Sequence, residues 1–143
     1  MEGSPSLGMI FMNVDIFIDT NILVYSFDGH DPEKHVLAKR RLDELWENQR
    51  PIALSVQVLQ EFYVTMTRKG GDPAFFREVV EHYMQRQIIE NTCGLMQLAM
   101  DVQRRYGTSF YDANIIAAAQ MSGAKELWTE DMNTGQDYGA WLP

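Results

Sequence analysis

Short apolar runs alternate along this chain with longer stretches whose apolar residues recur at helical spacing. The run Val14-Asp15-Ile16-Phe17-Ile18 predicts a buried strand over 13–18. Thr20 to Phe27 follows as a short helix or turn. Asp31-Pro32 pairs an N-cap with proline at the first helical position, so a helix should run from Pro32 to about Asn48. Val36, Leu37, Leu42, Leu45 and Trp46 would form its buried face. Pro51 to Leu54 reads as a short strand, and Ser55 as the cap of a helix to about Arg68, ended by Gly70-Gly71. Asp72-Pro73 repeats the cap-and-proline signal and starts a helix to about Gln85. Ile88 to Glu90 is a short strand. Thr92 caps a helix to about Tyr106, stopped by Gly107, and Ser109 opens another to about Met121, stopped by Gly123. Glu126 to Thr129 is the last strand, and the tail from Asn133 is turn-like.

Strands that alternate with helices need crossover connections. The fold class is therefore α/β, with a central, mostly parallel sheet and helices on both faces. No repeat or linker divides the chain, and 143 residues suit one domain. Residues 1–12 read as a disordered lead-in, too polar for a secretory signal, and 13–143 as the domain. In such sheets the site lies at the carboxyl ends of the strands.

Composition narrows the chemistry. The single cysteine, Cys93, excludes an internal disulfide framework, fits a reducing cytoplasm and reads as a packed thiol. No apolar run reaches the ~20 residues of a membrane helix. A net charge of −8 argues against indiscriminate nucleic-acid binding but not against a nuclease carrying divalent ions. The three histidines lack a zinc-ligand spacing, and no phosphate-cradling glycine loop is present. The nine methionines read mostly as core filler in helices.

The informative residues are acids at apolar–polar boundaries: Asp19, Glu61, Asp112 and Asp131. Gathered at one rim, they would repel one another unless a cation joined them, and hard oxygen donors suit magnesium or manganese. Each also has a plainer role. Asp19 could cap the next helix through the amide of Asn21 or Ile22. Asp112 completes a Ser109-Phe110-Tyr111-Asp112 capping box. Its helix is nearly all apolar, broken only by Asn114 and Gln120, so a carboxylate there needs a partner to stay charged. Glu61 shares a polar stripe with Gln57, Thr65 and Arg68, which is either solvated surface or the wall of a cleft. In the second case Arg68 can meet a phosphate. Asp131 could be a turn acid. Asp15 and Glu130 read as non-site residues, with no evident partner for Asp15.

Four segments carry these acids in order: Phe17-Ile18-Asp19-Thr20-Asn21-Ile22-Leu23-Val24-Tyr25, Leu59-Gln60-Glu61-Phe62-Tyr63, Phe110-Tyr111-Asp112-Ala113-Asn114-Ile115-Ile116-Ala117-Ala118-Ala119 and Leu127-Trp128-Thr129-Glu130-Asp131-Met132. Together they resemble the PIN-domain family from about Asn13 to Gly139, and most of all its small ribonuclease toxins of type II toxin-antitoxin modules. The resemblance implies a Mg²⁺- or Mn²⁺-dependent endoribonuclease of the cytoplasm, with Asp19, Glu61, Asp112 and Asp131 as catalytic metal ligands. Thr20 and Asn21 would support Asp19, and Arg68 would bind substrate. It also implies RNA as substrate, a small antitoxin as partner and a homodimer. Phe75, Phe76, Tyr83 and Trp46 are apolar side chains that serve either an interface or the core. Two rivals stand beside this reading. One is a non-catalytic RNA- or protein-binding domain. The other is a receiver-like phospho-acceptor, disfavoured because Lys125 precedes its strand.

Overall fold

A strand covered on both faces needs apolar residues at every position, and Ile16, Phe17 and Ile18 are each 0% exposed. The computed structural model describes residues 14–130; the lead-in, Asp131 and the tail lie outside them. Among the described residues the strands are β1 (Ile16–Ile18), β2 (Ile52–Ser55), β3 (Gln87–Ile89) and β4 (Glu126–Trp128). The helices are α1 (Thr20–Phe27), α2 (Pro32–Glu47), α3 (Val56–Arg68), α4 (Pro73–Tyr83), α5 (Cys93–Tyr106) and α6 (Phe110–Ser122).

The sheet runs β3-β2-β1-β4, and every neighbouring pair is parallel. Phe17 lies opposite Ala53 on one side and Leu127 on the other. Parallel neighbours cannot be closed by a hairpin, so the helices are the crossovers and cover both faces. One consequence governs the rest: all four strands end on the same rim.

Local chemistry sets the helix bounds. Asp31, Ser55, Asp72, Thr92 and Ser109 each accept a first-turn amide through the side chain. α5 ends on Gly107, whose φ of 70° suits a residue without Cβ. Helix α6 is buried from Ala113 through Ala119, as its apolar run requires.

Three expectations need correction, and one left open is decided. In α2 the buried stripe is Ala38, Leu42 and Leu45, one helical face; Val36 and Leu37 lie off it and are exposed. Met66 is buried, but Met84, Met96, Met100 and Met121 are exposed, outside the stripes that face the sheet. Cys93 is not packed: it sits exposed at the first position of α5. Phe76 and Tyr83 belong to the core, Trp46 is half-buried, and only Phe75 of that group is largely exposed. Phe62 binds this aromatic cluster together, edge to face with Phe76 and Tyr83. Burial pushes the Tyr83 hydroxyl up to about 12.

Candidate active site

The residues after each strand meet along the carboxyl rim. Asp19 follows β1, Gln57 lies in the first turn after β2, Asn91 and Thr92 follow β3, and Thr129 follows β4. Asp19 is only 6% exposed. Its Oδ1 accepts the Thr20 N–H at 2.6 Å and its Oδ2 accepts the Thr129 hydroxyl at 2.7 Å. It therefore sits at the N-cap position of α1, with its side chain on the first helical amide, that of Thr20. The Ile22 N–H donates to the Asp19 backbone carbonyl at 3.3 Å. The carboxylate spans the ends of β1 and β4.

Thr20 serves two acids. Its amide holds Asp19, and its hydroxyl donates to Glu61 Oε1 at 2.8 Å. Glu61 Oε2 accepts the Gln57 amide at 3.0 Å. That amide also donates to the Tyr111 carbonyl at 3.3 Å, and Gln57 Oε1 accepts from Asn114. A continuous hydrogen-bonded path thus runs from β1 through α3 to the start of α6. Gln57 and Asn114 are buried and Glu61 is half-buried, so the polar stripe of α3 is a cleft wall.

Asp112 occupies the first turn of α6, half-buried, beside the Tyr111 carbonyl that the path ends on. Its N–H donates to Ser109 Oγ at 3.1 Å, one half of the predicted capping box. Asn21 lies in the first turn of α1. Arg68 is exposed at the far end of α3, about 10 Å along the axis from Glu61 at 1.5 Å per residue. Asp19 and Glu61 are thus linked through Thr20, and Asp112 flanks the same network. Among the described residues no three Asp, Glu, His or Cys side chains sit together as a ready ion-binding set. The donors that do meet are carboxylate and hydroxyl oxygens, the chemistry magnesium and manganese prefer.

Three contributors were underweighted in the sequence. Gln57 appeared only as a stripe member, and Thr129 only as the end of a strand. Asn114 had a usable signal: an amide inside an otherwise buried apolar run needs a partner.

The acids read as non-site residues do have partners. Asp15 meets Arg50 at 3.3 Å and Lys125 at 3.6 Å, at the amino end of the sheet. The Tyr25 hydroxyl donates to Glu130 at 2.8 Å and holds its carboxyl below the usual range, with Lys34 at 3.0 Å adding to the effect.

The profile of the PIN domain matches residues 16–134, most of the chain. The chain belongs to the PIN-domain family. No curated protein matches it. Among solved structures it is similar to Mycobacterium tuberculosis VapC20, a sarcin-ricin loop cleaving toxin. The identity is 23% and the TM-score 0.64, over 82% of this chain and 90% of that chain. At that identity the likeness is one of fold. With a PIN-domain fold and Lys125 bound to Asp15 away from the rim, the receiver-like alternative falls. Among the described residues no helix is long and apolar enough to cross a membrane.

Proposed function

We propose that this PIN domain is a Mg²⁺- or Mn²⁺-dependent endoribonuclease, acting as the toxin of a toxin-antitoxin pair. The observation that carries the reading is the bonded path Asp19–Thr20–Glu61–Gln57–Asn114 at the carboxyl rim. Family membership supports a nuclease, and the shared fold with a toxin that cleaves the sarcin-ricin loop supports RNA as substrate. Asp19, Glu61, Asp112 and Asp131 would hold the ion. When bound, a divalent ion lowers the pKa of a coordinated water and offsets charge on a phosphate.

The chain's own residues have separable tasks. Thr20 fixes the spacing of Asp19 and Glu61 by donating to both. Thr129 fixes the second oxygen of Asp19. Gln57 orients Glu61 and ties it to α6, whose amino end favours an approaching anion. Asn21 supports the Asp19 turn, and Arg68 contacts substrate phosphate further along α3.

Cleavage of total RNA with and without Mn²⁺ tests the assignment. Asp19→Asn and Asp112→Asn should each abolish cleavage while the domain stays folded. Metal-dependent cleavage retained in both variants would remove the nuclease assignment. Mn²⁺ at 100 times its dissociation constant should stabilise wild type by about 2.7 kcal/mol. An equal response in the doubly substituted chain would show that the ion binds elsewhere.

The antitoxin would place an Arg or Lys against the same carboxylates, so its binding should compete with Mn²⁺ and weaken as salt rises. The chain itself would act as a homodimer. Light scattering of the isolated chain reads that directly, and a monomer at micromolar concentration would remove the homodimer.

A further inference from the structure

Beside the acidic cleft, on the β3 side of the rim, lies a groove of about 390 Å³ of quite different character. Among the described residues no charged side chain lines it; amides, aromatic rings and the apolar Leu95 and Met96 do. Gln57 and Asn114 form the wall shared with the acids, and their amides are bonded to each other. Gln60 and Asn91 are exposed at its edge. Tyr111 is 67% exposed, yet its ring is held edge to face by Phe110 at 5.6 Å and 81°. An aromatic ring so far exposed contributes little to the core and leaves a face open to a ligand.

We propose that this groove is a nucleobase subsite, which seats one unpaired base of an RNA strand next to the acidic cleft. The inference rests on the nuclease reading and gives it a source of sequence preference. A nucleobase is flat, uncharged and rimmed with donors and acceptors. Unpaired bases are recognised by stacking on aromatic rings and by hydrogen bonds from side-chain amides. Tyr111 supplies the stacking face, and Gln60 and Asn91 supply donors and acceptors. A carboxylate-rich wall would repel the phosphates on either side of the base, whereas neutral amides do not. The groove also lies where α3, α5 and α6 begin, and those ends favour a flanking phosphate. The volume falls within the ~300–1,000 Å³ usual for small-ligand sites. Gln57 touches both compartments, so a base in the groove is mechanically linked to Glu61.

Cys93 gives a readout independent of cleavage. It is the chain's only cysteine, it is exposed, and it lines the groove. The rate of its reaction with a maleimide can be followed in EDTA, with and without a mixed-sequence single-stranded oligoribonucleotide. The oligonucleotide should slow the reaction at least about fivefold in wild type. Tyr111→Ala should weaken that protection about tenfold in oligonucleotide concentration, the loss of one stacked base. Gln60→Ala should weaken it less. Both positions are exposed, so neither change threatens the fold. Duplex RNA of the same sequence should protect poorly, because its bases are already stacked. Absence of protection, equal protection in Tyr111→Ala, or equal protection by duplex would each overturn the subsite. A wild-type chain that cleaves no RNA but shows Tyr111-dependent protection would overturn the nuclease reading and leave the subsite standing. In an active nuclease, the cut-site profile of Tyr111→Ala should lose its preference at one nucleotide position. An unchanged profile would overturn the subsite.

Discussion

The two ends of the parallel sheet treat their acids differently. At the amino end Asp15 lies between Arg50 and Lys125, cations of its own chain. At the carboxyl end Glu61 is held by a threonine hydroxyl and a glutamine amide, and among the described residues it makes no ion pair. Thr20 and Thr129 position Asp19 nearby. Neutral donors fix where a carboxylate points without cancelling its charge. Ion pairs cancel it. The first arrangement keeps Glu61 available to a cation from outside; the second closes Asp15 to one.

The largest effect should come from Asp19→Asn. The amide keeps the shape and an acceptor but loses the charge. Metal-dependent cleavage should fall on the order of 10³-fold, about 4 kcal/mol of barrier. Initial rates on a defined RNA measure it, with a melting curve to show that the fold survives. In the same assay Asp15→Asn should stay within about twofold of wild type. Equal losses at the two ends would break the comparison.

The apolar layer between the two ends should tolerate no charge. Tyr83 is 5% exposed, and burial raises its hydroxyl from 10.0 to about 12. The folded value is raised, so its contribution is complete below pH 10 and is lost as pH climbs from 10 to 12. That rise corresponds to about 3 kcal/mol. Melting temperatures from pH 9 to 12 should fall more steeply for wild type than for Tyr83→Phe. Parallel curves would show that Tyr83 ionises without opening the core.

Glu61→Gln asks whether the neutral shell alone suffices. The substitution keeps the side-chain length and removes the charge. Activity should drop roughly 10- to 100-fold or more, since altering even the groups that support a metal ligand costs that much. Stability without metal should hold or rise slightly, because one like charge near Asp19 is gone. Loss of stability together with unchanged cleavage would assign Glu61 to structure.

Much of this was legible in the sequence, for reasons tied to particular residues. Helix starts were clear because Asp31-Pro32, Ser55, Asp72-Pro73, Thr92 and Ser109 carry capping chemistry in one side chain. Their ends were clear where glycine must take positive φ, at Gly107 and Gly123. Asp19 and Asp112 were legible as candidates because each stands at the edge of an apolar run. Partnerships were not. That Thr20 holds both Asp19 and Glu61, or that Arg50 finds Asp15, depends on contacts between segments distant in the chain. Periodicity fixes which face a residue occupies, not what stands opposite. The same blindness misjudged Val36, Leu37 and the exposed methionines. Apolar character was visible in them, but the neighbouring element was not.

The smallest effect belongs to Asp15, and it decides whether charge at the amino end is structural alone. The Arg50 and Lys125 side chains that meet it are 39% and 74% exposed, so solvent screens both pairs. Breaking them with Asp15→Asn should cost about 1 kcal/mol or less. Denaturant melts would show a small shift in midpoint with no change in slope. The deficit should shrink in high salt, where wild type loses the same attraction. Adding Arg50→Gln to Asp15→Asn should cost less than the two single changes summed, since each already removes their shared pair. Strict additivity would mean that the two groups lie close without interacting. The contrast between the two ends of the sheet would then rest on the carboxyl rim alone.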